Sequence, residues 1–132
     1  MRQYQEYTIF SGKGTTGIGI NILAEDFKHA IFSIASDGGG DAAATVKIVG
    51  SVSEDAPNFA AAQSVSNMYD FIQLVDYEDG SAKNGDEGIV FSSADDYRLA
   101  EANVNGLRYL NARITAITAG ELTVKVKLYN NQ

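Results

Sequence analysis

Two consecutive runs of alternating residues near the C-terminus constrain the fold of this chain more than any other stretch. The apolar positions are Leu110, Ala112, Ile114 and Ala116 in the first run, and Leu122, Val124, Val126 and Leu128 in the second. A period of two is typical of a β-strand that buries one face. Burial of the second run would contribute roughly 1.5–3 kcal/mol per side chain. The pattern predicts two strands within residues 107–129 whose apolar faces need a further layer of structure against them.

We expect these two strands to pair with each other as a hairpin, and the apolar pattern selects its turn. A two-residue loop at 119–120 would place Arg113 opposite Val126, which conflicts with a buried face. A three-residue loop at 119–121 instead pairs Ala116 with Val124, Ile114 with Val126, and Ala112 with Leu128. The longer loop is favoured, with Gly120 supplying backbone angles that other residues rarely adopt.

Shorter runs, separated by turns rich in Gly and Asp, occupy most of the remaining chain. They lie at residues 3–10, 28–35, 44–52, 69–75, 88–91 and 97–104, with a turn at 37–41. The Tyr-rich run at 3–10 is expected at a sheet edge, and the run at 69–75, apolar on both faces, is expected to be central. Eight or nine strands with regular turns predict an all-β fold, an antiparallel β-sandwich of jelly-roll type.

Two stretches leave alternatives open. Residues 53–69 are irregular, with a turn around Pro57 and one possible helical turn at 59–63. Residues 93–96 would suit the start of a helix running through Leu99, or the same stretch continues as a strand. The strand is favoured because Asn105–Gly106, the strongest short-range turn signal, follows closely and would join it to the next strand as a hairpin.

The composition fits a single β-sandwich domain over residues 1–132. Hydrophobic residues make up 45% of the chain, which excludes a disordered protein, and the apolar stretches are too short to span a bilayer. The absence of Cys excludes disulfides and cysteine-ligated metals. Residues 1–6 lack the apolar core of a signal peptide, and without Cys the chain could be made in a reducing cytoplasm.

The formal net charge of −7 bears on the partners of the chain. Nucleic acids and anionic membranes attract surfaces rich in Lys and Arg, so neither is expected as a partner. The favoured explanation of the acidic balance is solubility.

No catalytic apparatus is recognisable. His29 is the one histidine, and its neighbours Ile31 and Ser33 offer no partner for a triad, so a structural or solvated role is expected.

Gly12, Gly14 and Gly17 match the dinucleotide-binding pattern G-x-G-x-x-G, but that pattern requires a helix to follow. The continuation at 18–22 alternates like a strand, so we interpret these glycines as a turn. No cofactor is expected.

The acidic loop at 76–87 is the strongest candidate for a cation site. Its carboxylates are Asp76, Glu78, Asp79, Asp86 and Glu87. Calcium takes oxygen ligands of this kind, although the EF-hand spacing is absent. A solvated, turn-forming stretch is the favoured interpretation, and no residue is assigned as a metal ligand. Paired carboxylates for glycoside hydrolysis are possible in principle, but no residue is marked as desolvated.

Tyrosine is abundant, with seven residues, and the alternation turns some of them outward. The candidates are Tyr4, Tyr7, Tyr97, Tyr109 and Tyr129. Exposed Tyr is enriched at protein interfaces and in carbohydrate sites, although Tyr is also an ordinary strand residue. The lack of Trp argues against a sugar-stacking platform.

Several blocks of the sequence, in order and spacing, resemble a family of small bacteriophage virion proteins. They include 46–51, 66–72, 79–81 with 85–88, 95–98, 103–109, and 112–116 with 120–126, about two thirds of the chain. Positions 69 and 109 are Tyr where the family has Trp, which keeps an aromatic anchor. The resemblance implies a β-sandwich building block of a phage particle, a capsid decoration or head-associated protein made in the host bacterial cytoplasm, and identifies no catalytic residue.

Three functions are therefore weighed. The first is a non-enzymatic structural protein of a tailed phage virion, bound to capsid or neck proteins and assembled as a homo-oligomer. The second is a carbohydrate-binding β-sandwich module. The third, an all-β enzyme, is disfavoured by one His, no Cys and no recognisable triad.

Overall fold

The computed structural model describes residues 4–37, 43–92 and 96–130. Its regular structure within these ranges is entirely β, which confirms the predicted fold class. The strands are β1 (Tyr4–Lys13), β2 (Gly17–Ile18), β3 (Ile22–Leu23), β4 (His29–Asp37), β5 (Ala44–Ser51), β6 (Asp70–Phe71), β7 (Leu74–Asp76), β8 (Ala82–Lys83), β9 (Ile89–Phe91), β10 (Asp96–Asn103), β11 (Tyr109–Ile117) and β12 (Glu121–Tyr129). Among the described residues, no helix is long and apolar enough to cross a membrane.

The strands form two antiparallel sheets. Sheet A has the order β1-β12-β4-β10-β7-β8, which confirms that the Tyr-rich first strand lies at an edge. Sheet B is built on β5 and β11, with β2 and β3 along β11, and β6 and β9 along β5. The strands of the described part number twelve rather than eight or nine, because several short pairings have no periodic signal of their own.

The hydrophobic core lies between the inner faces of the two sheets. Each long strand contributes every second residue, as the alternation predicted. The fully buried set includes Phe32 and Ile34 of β4, Val46 and Ile48 of β5, Leu110, Ala112 and Ile114 of β11, and Leu122, Val124 and Leu128 of β12.

The predicted hairpin of β11 and β12 is wrong. In β11, Ile114 pairs with Val46 and Ala112 with Ile48, all in sheet B. In β12, Val126 pairs with Phe32 in sheet A. Gly120 has the expected positive φ of 85°, but the turn carries the chain from one sheet to the other. Alternation shows which side of a strand is buried. It does not show which sheet the strand joins, because the inner faces of both sheets of a sandwich are buried.

The second predicted hairpin, across Asn105–Gly106, is wrong for the same reason. The strand prediction for β10 is confirmed, and Gly106 has a φ of 91° in a turn closed by a hydrogen bond from Leu107 N to Val104 O. However, β10 pairs with β4 and β7 in sheet A, whereas β11 lies in sheet B. The Asn-Gly turn therefore crosses the sandwich.

The run at 69–75 is not one central strand. It divides into β6, at the margin of sheet B, and β7, next to the short β8 in sheet A. Ile72 and Gln73 make the crossing. Apolar residues on both faces arise here because the chain changes sheets, so successive residues face two different layers. The predicted turn at 37–41 and most of the alternative cap at 93–96 lie outside the described residues.

The glycine-rich segment at 12–17 continues β1 into a turn and then β2, as predicted, with no helix after it. Just beyond it, Gly19 crosses directly over β1, where an added Cβ would lie 2.2 Å from Cγ2 of Ile9. The buried side chain of Asn111 holds this crossing. Its Oδ1 accepts from Gly19 N and its Nδ2 donates to Gly19 O, both at 3.0 Å.

A long loop covers the outer face of sheet B. We call residues 52–69 the cover loop. Phe59 and Tyr69 of this loop are buried against Val49, with Phe71 and Tyr109 packed at the margin, forming a second hydrophobic cluster outside the main core. The possible helical turn at 59–63 is instead a simple turn, closed by Ala61 N donating to Asn58 O.

Side-chain hydrogen bonds fix the shape of the cover loop. Asn67 Oδ1 accepts from Asn58 N at 2.8 Å, and its Nδ2 donates to the carbonyls of Asn58 and Ala62. The Tyr69 hydroxyl donates to Ala61 O at 2.7 Å and meets Nη1 of Arg113 at 3.1 Å. The loop is therefore an ordered layer on sheet B, despite its irregular backbone.

Candidate functional site

The acidic loop does not gather its carboxylates into one site. Among the described residues, no group of three or more His, Cys, Asp or Glu side chains is placed to hold a metal ion. Asp79 turns back on its own backbone and accepts hydrogen bonds from both the hydroxyl and the N–H of Ser81. These bonds lower the pKa of Asp79 below its ordinary value. Asp86 and Glu87 are exposed in a separate turn that closes on Asn84.

The buried member of the acidic loop, Asp76, faces an arginine. Arg98 Nε lies 3.8 Å from Asp76, and the guanidinium also contacts Asp96 and Glu78. Asp76 Oδ1 further accepts from Glu78 N at 3.0 Å. The arginine supplies the positive charge that a cation would otherwise supply, so this cluster is an ion-pair network that closes one end of the sandwich.

The outer face of sheet A carries many exposed side chains of the described residues. It carries the outward residues of β1, β12, β4, β10 and β7, in rows set by the strand register. One row runs from Glu6 through Lys127 and Ile31 to Glu101 and Val75. The next row joins Thr8, Lys125, Ser33 and Leu99.

A carboxylate with two tyrosines lies in the middle of this face. Glu101 Oε2 accepts from the Tyr129 hydroxyl at 2.6 Å and from the Tyr77 hydroxyl at 3.3 Å. Partial burial, followed by the hydrogen bond to Glu101, raises the pKa of Tyr129 above the ordinary tyrosine value. The same causes raise the pKa of Tyr77. His29 stacks on the Tyr129 ring with centroids 5.2 Å apart, so the one histidine belongs to this cluster.

Beside this cluster is an apolar area that we call the tyrosine patch, formed by Val75, Tyr77, Tyr97 and Leu99. These side chains are 36%, 48%, 69% and 47% exposed. The patch borders a hollow of about 380 Å³ that includes Ser33. Exposed apolar and aromatic side chains grouped in this way are typical of protein interfaces rather than of free surface.

A second depression, which we call the groove, lies on the same face along β1 and β12. Its volume is about 470 Å³, and Ile31, Ser33, Thr8, Glu6, Lys125 and Lys127 line it. Ser33 is small, and Ile31 at its side is half-buried, so the floor is low and partly apolar. The two lysines border it, and Lys127 Nζ also lies 4.8 Å from the centre of the Tyr4 ring.

The tyrosines predicted to face outward divide between the two sheets. Tyr4 and Tyr97 are exposed and Tyr129 is half-buried on sheet A, whereas Tyr109 packs in the cluster under the cover loop and Tyr7 faces the core side. Tyr77 and Glu101 were not singled out from the sequence. Glu101 has outward parity in β10 and Tyr77 directly follows β7 with the same outward parity as Val75, but only the strand order brings them together with Tyr129.

Comparison with known proteins supports the fold. No protein-family model matches the sequence, and no curated protein is detectably similar to it. Two solved structures share the architecture. The SPBc2 prophage-derived protein YomS is 12% identical with a TM-score of 0.67, over 98% of this chain and 95% of YomS. The PBSX exported protein XepA is 16% identical with a TM-score of 0.71, over 97% of this chain and 38% of XepA.

At these identities the likeness establishes the fold. The chain spans nearly the whole of YomS and a little over a third of XepA. YomS is described as prophage-derived and XepA as exported, and the description of neither mentions a capsid decoration protein.

Proposed function

We propose that this chain is a non-enzymatic structural protein of a tailed bacteriophage particle, a capsid decoration or head-associated protein that acts through protein–protein interfaces. The observation that carries the proposal is a β-sandwich of the same fold as a prophage-derived protein, with a tyrosine patch on sheet A that no described residue covers. Its expected partners are capsid or neck proteins and further copies of itself, and its location is the virion.

The chemistry of sheet A favours a contact over a reaction. The carboxylate of Glu101 is occupied by two phenols, and the rings around it are supported by cross-strand neighbours. Tyr and Leu side chains that are already ordered lose little conformational freedom when a partner covers them. An interface of standard size, about 800 Å² on each partner, would cover the tyrosine patch and its surroundings.

The test is binding to phage shells assembled without this protein. Purified protein should co-sediment with the shells at saturating stoichiometry and raise the temperature or force at which they rupture. Replacing Tyr97 and Leu99 by Ser should reduce binding about 10-fold or more, since both side chains would lose burial in the interface. Replacing Val90, which is 60% exposed on sheet B, by Ser is the matched control and should leave binding unchanged. Shells that show no saturable binding of the wild-type protein would contradict the proposal.

A carbohydrate-binding module remains the second candidate because exposed Tyr rings lie close to a carboxylate on one face. Sugars stack on aromatic rings and donate hydrogen bonds to carboxylates, so Tyr77, Tyr97 and Glu101 would form such a site. A glycan array separates the candidates. Saturable binding that is lost on replacing Tyr97 by Ser, without binding to shells, would favour the module.

The description of XepA as an exported protein adds one arm to the test of location. During phage production the chain should purify with the particles. Its accumulation in the culture medium, separate from particles, would argue against the virion.

A further inference from the structure

The cover loop presents apolar side chains to solvent on the side of the molecule opposite the groove. Val52, Val65 and Met68 are 70%, 92% and 60% exposed. Val65 lies at the tip of a turn closed by two backbone hydrogen bonds between Ser64 and Asn67. Met68 lies beside Val52, since its carbonyl accepts from Ser51 Oγ at 3.0 Å.

The loop that carries these exposed side chains is held in place by its own contacts. Phe59 is fully buried beneath the loop, and the three hydrogen bonds of Asn67 hold the segment that carries Val65. A segment that is already ordered loses little conformational entropy when it is covered, so its apolar tip can contribute its full burial to an interface.

The same segment is acidic. Residues 52–69 contain Glu54 and Asp55 and no Lys or Arg, and Asp70 of β6 follows directly. All three carboxylates are exposed. A surface that receives this loop therefore needs an apolar floor and a basic border, and an anionic surface would repel it.

The groove on sheet A has these two properties. Ile31 lies at its floor, and Lys125 and Lys127 border it, against one acidic residue, Glu6. It lies on the outer face of sheet A, whereas the cover loop lies on the outer face of sheet B. One copy of the chain thus carries both halves of a complementary pair, on opposite faces.

We propose that the cover loop of one copy docks in the groove of a second copy. The inference rests on the proposed assembly of the chain as a homo-oligomer and identifies the surfaces that form it. The two surfaces are different and lie on opposite faces, so the contact is head-to-tail. An open assembly of any length therefore keeps an unoccupied loop at one end and an unoccupied groove at the other. Such an interface generates a closed ring or a helical filament, unlike the isologous contact of a two-fold dimer.

The first experiment measures mass by light scattering and sedimentation over a range of concentrations. The wild-type protein should associate, and Val65→Asp should lower the association constant about 10- to 100-fold, because the tip would lose its burial. The double change Lys125→Glu with Lys127→Glu should weaken association similarly. Val90→Asp, and Lys28→Glu with Lys83→Glu, place the same chemistry elsewhere and should leave association unchanged.

Mixing the two disabled proteins tests the head-to-tail geometry. The Val65→Asp protein keeps an intact groove, and the Lys125→Glu/Lys127→Glu protein keeps an intact loop. Together they should form heterodimers and nothing larger, since each pair has one working interface. An isologous contact, loop to loop or groove to groove, would instead leave one of the two proteins associating with itself before mixing, and that result would overturn the head-to-tail geometry.

A charge exchange tests the electrostatic part. Glu54→Lys with Asp55→Lys should weaken association, and adding Lys125→Glu with Lys127→Glu in the same chain should restore it to within about threefold. A wild-type protein that stays monomeric at millimolar concentration, or an oligomer indifferent to both sets of changes, would overturn the inference. Binding of a monomer to phage shells would leave the proposed function standing while this inference fails.

Discussion

The two outer faces of the sandwich start from the same strand pattern and end in different environments. On sheet B, the outward Val49 and Tyr109 are covered by Phe59 and Tyr69 of the cover loop, which form a second cluster. On sheet A, no described residue covers the outward side chains, and Glu101 accepts a hydrogen bond from Tyr129 beside the tyrosine patch. An outward face of a sheet can thus be stabilised in two ways. On sheet B, a loop of the same chain covers it. On sheet A, polar and aromatic contacts within the face stabilise it and leave it accessible to a partner.

The largest expected effect comes from breaking the covered face. Phe59→Ala should lower the free energy of unfolding by about 3–5 kcal/mol, because a fully buried ring is removed and a cavity remains. Urea denaturation followed by circular dichroism measures this. Tyr97→Ala, on the uncovered face, is the matched control and should change the free energy of unfolding by less than about 0.5 kcal/mol.

A smaller effect is expected from the polar frame of the cover loop. Asn67→Ala removes three hydrogen bonds and should cost about 1–3 kcal/mol of unfolding free energy, with faster proteolysis inside 52–69. Asn67→Asp keeps an acceptor for Asn58 N but places a carboxylate oxygen against the carbonyls of Asn58 and Ala62, so it should be at least as destabilising as Asn67→Ala. Equal protease resistance in all three proteins would show that the loop is held by Phe59 and Tyr69 alone.

On the uncovered face, Glu101→Gln should change the ionisation of Tyr129 more than it changes the free energy of unfolding. The phenol of Tyr129 has a raised pKa in the fold, so its contribution to stability is complete below about pH 10, the ordinary tyrosine value, and is lost as the pH rises through the raised folded value. Glu101→Gln should shift the ultraviolet titration of Tyr129 downward and cost about 0.5–1 kcal/mol. Glu6→Gln, on the same face, should leave that titration in place.

The smallest effect on stability, and the most informative for function, belongs to the tyrosine patch. Tyr97→Ser should leave the urea midpoint within error, since the side chain is 69% exposed. Its effect should appear when a partner is present, as a loss of binding to shells. If Tyr97→Ser instead lowers the urea midpoint, the tyrosine patch contributes to folding stability, and the covered and uncovered faces differ less than described above.

The sequence predicts the layers of this molecule better than its connections. Alternation in β11 and β12 places Leu110, Ile114, Val124 and Leu128 in the core, because burial depends on a local period of two. The choice of sheet is not local. The turns at Gly106 and Gly120 have the expected backbone angles, yet both carry the chain across the sandwich, since a positive φ sets a change of direction without setting a hydrogen-bonding partner.

The candidate surfaces show the same limit. Glu101, Tyr77 and Tyr129 come from β10, the end of β7 and β12, which are brought together by register with β4 between β10 and β12. Each residue has the outward parity of its own strand, but no spacing along the chain connects them. The acidic loop was visible as a run of carboxylates, and the arginine that pairs with its buried member comes from β10, outside the run.

The place of β12 between β1 and β4 has a consequence for synthesis. The long strands β1 and β4 are synthesised well before β12. Until β12 leaves the ribosome, the position between β1 and β4 in sheet A is empty. At roughly 5–20 residues per second, β1 waits on the order of ten seconds with both of its edges unpaired. During that interval the unpaired edges of β1 are a template for stray strand pairing, so a chaperone that shields β1 should raise the yield of folded protein.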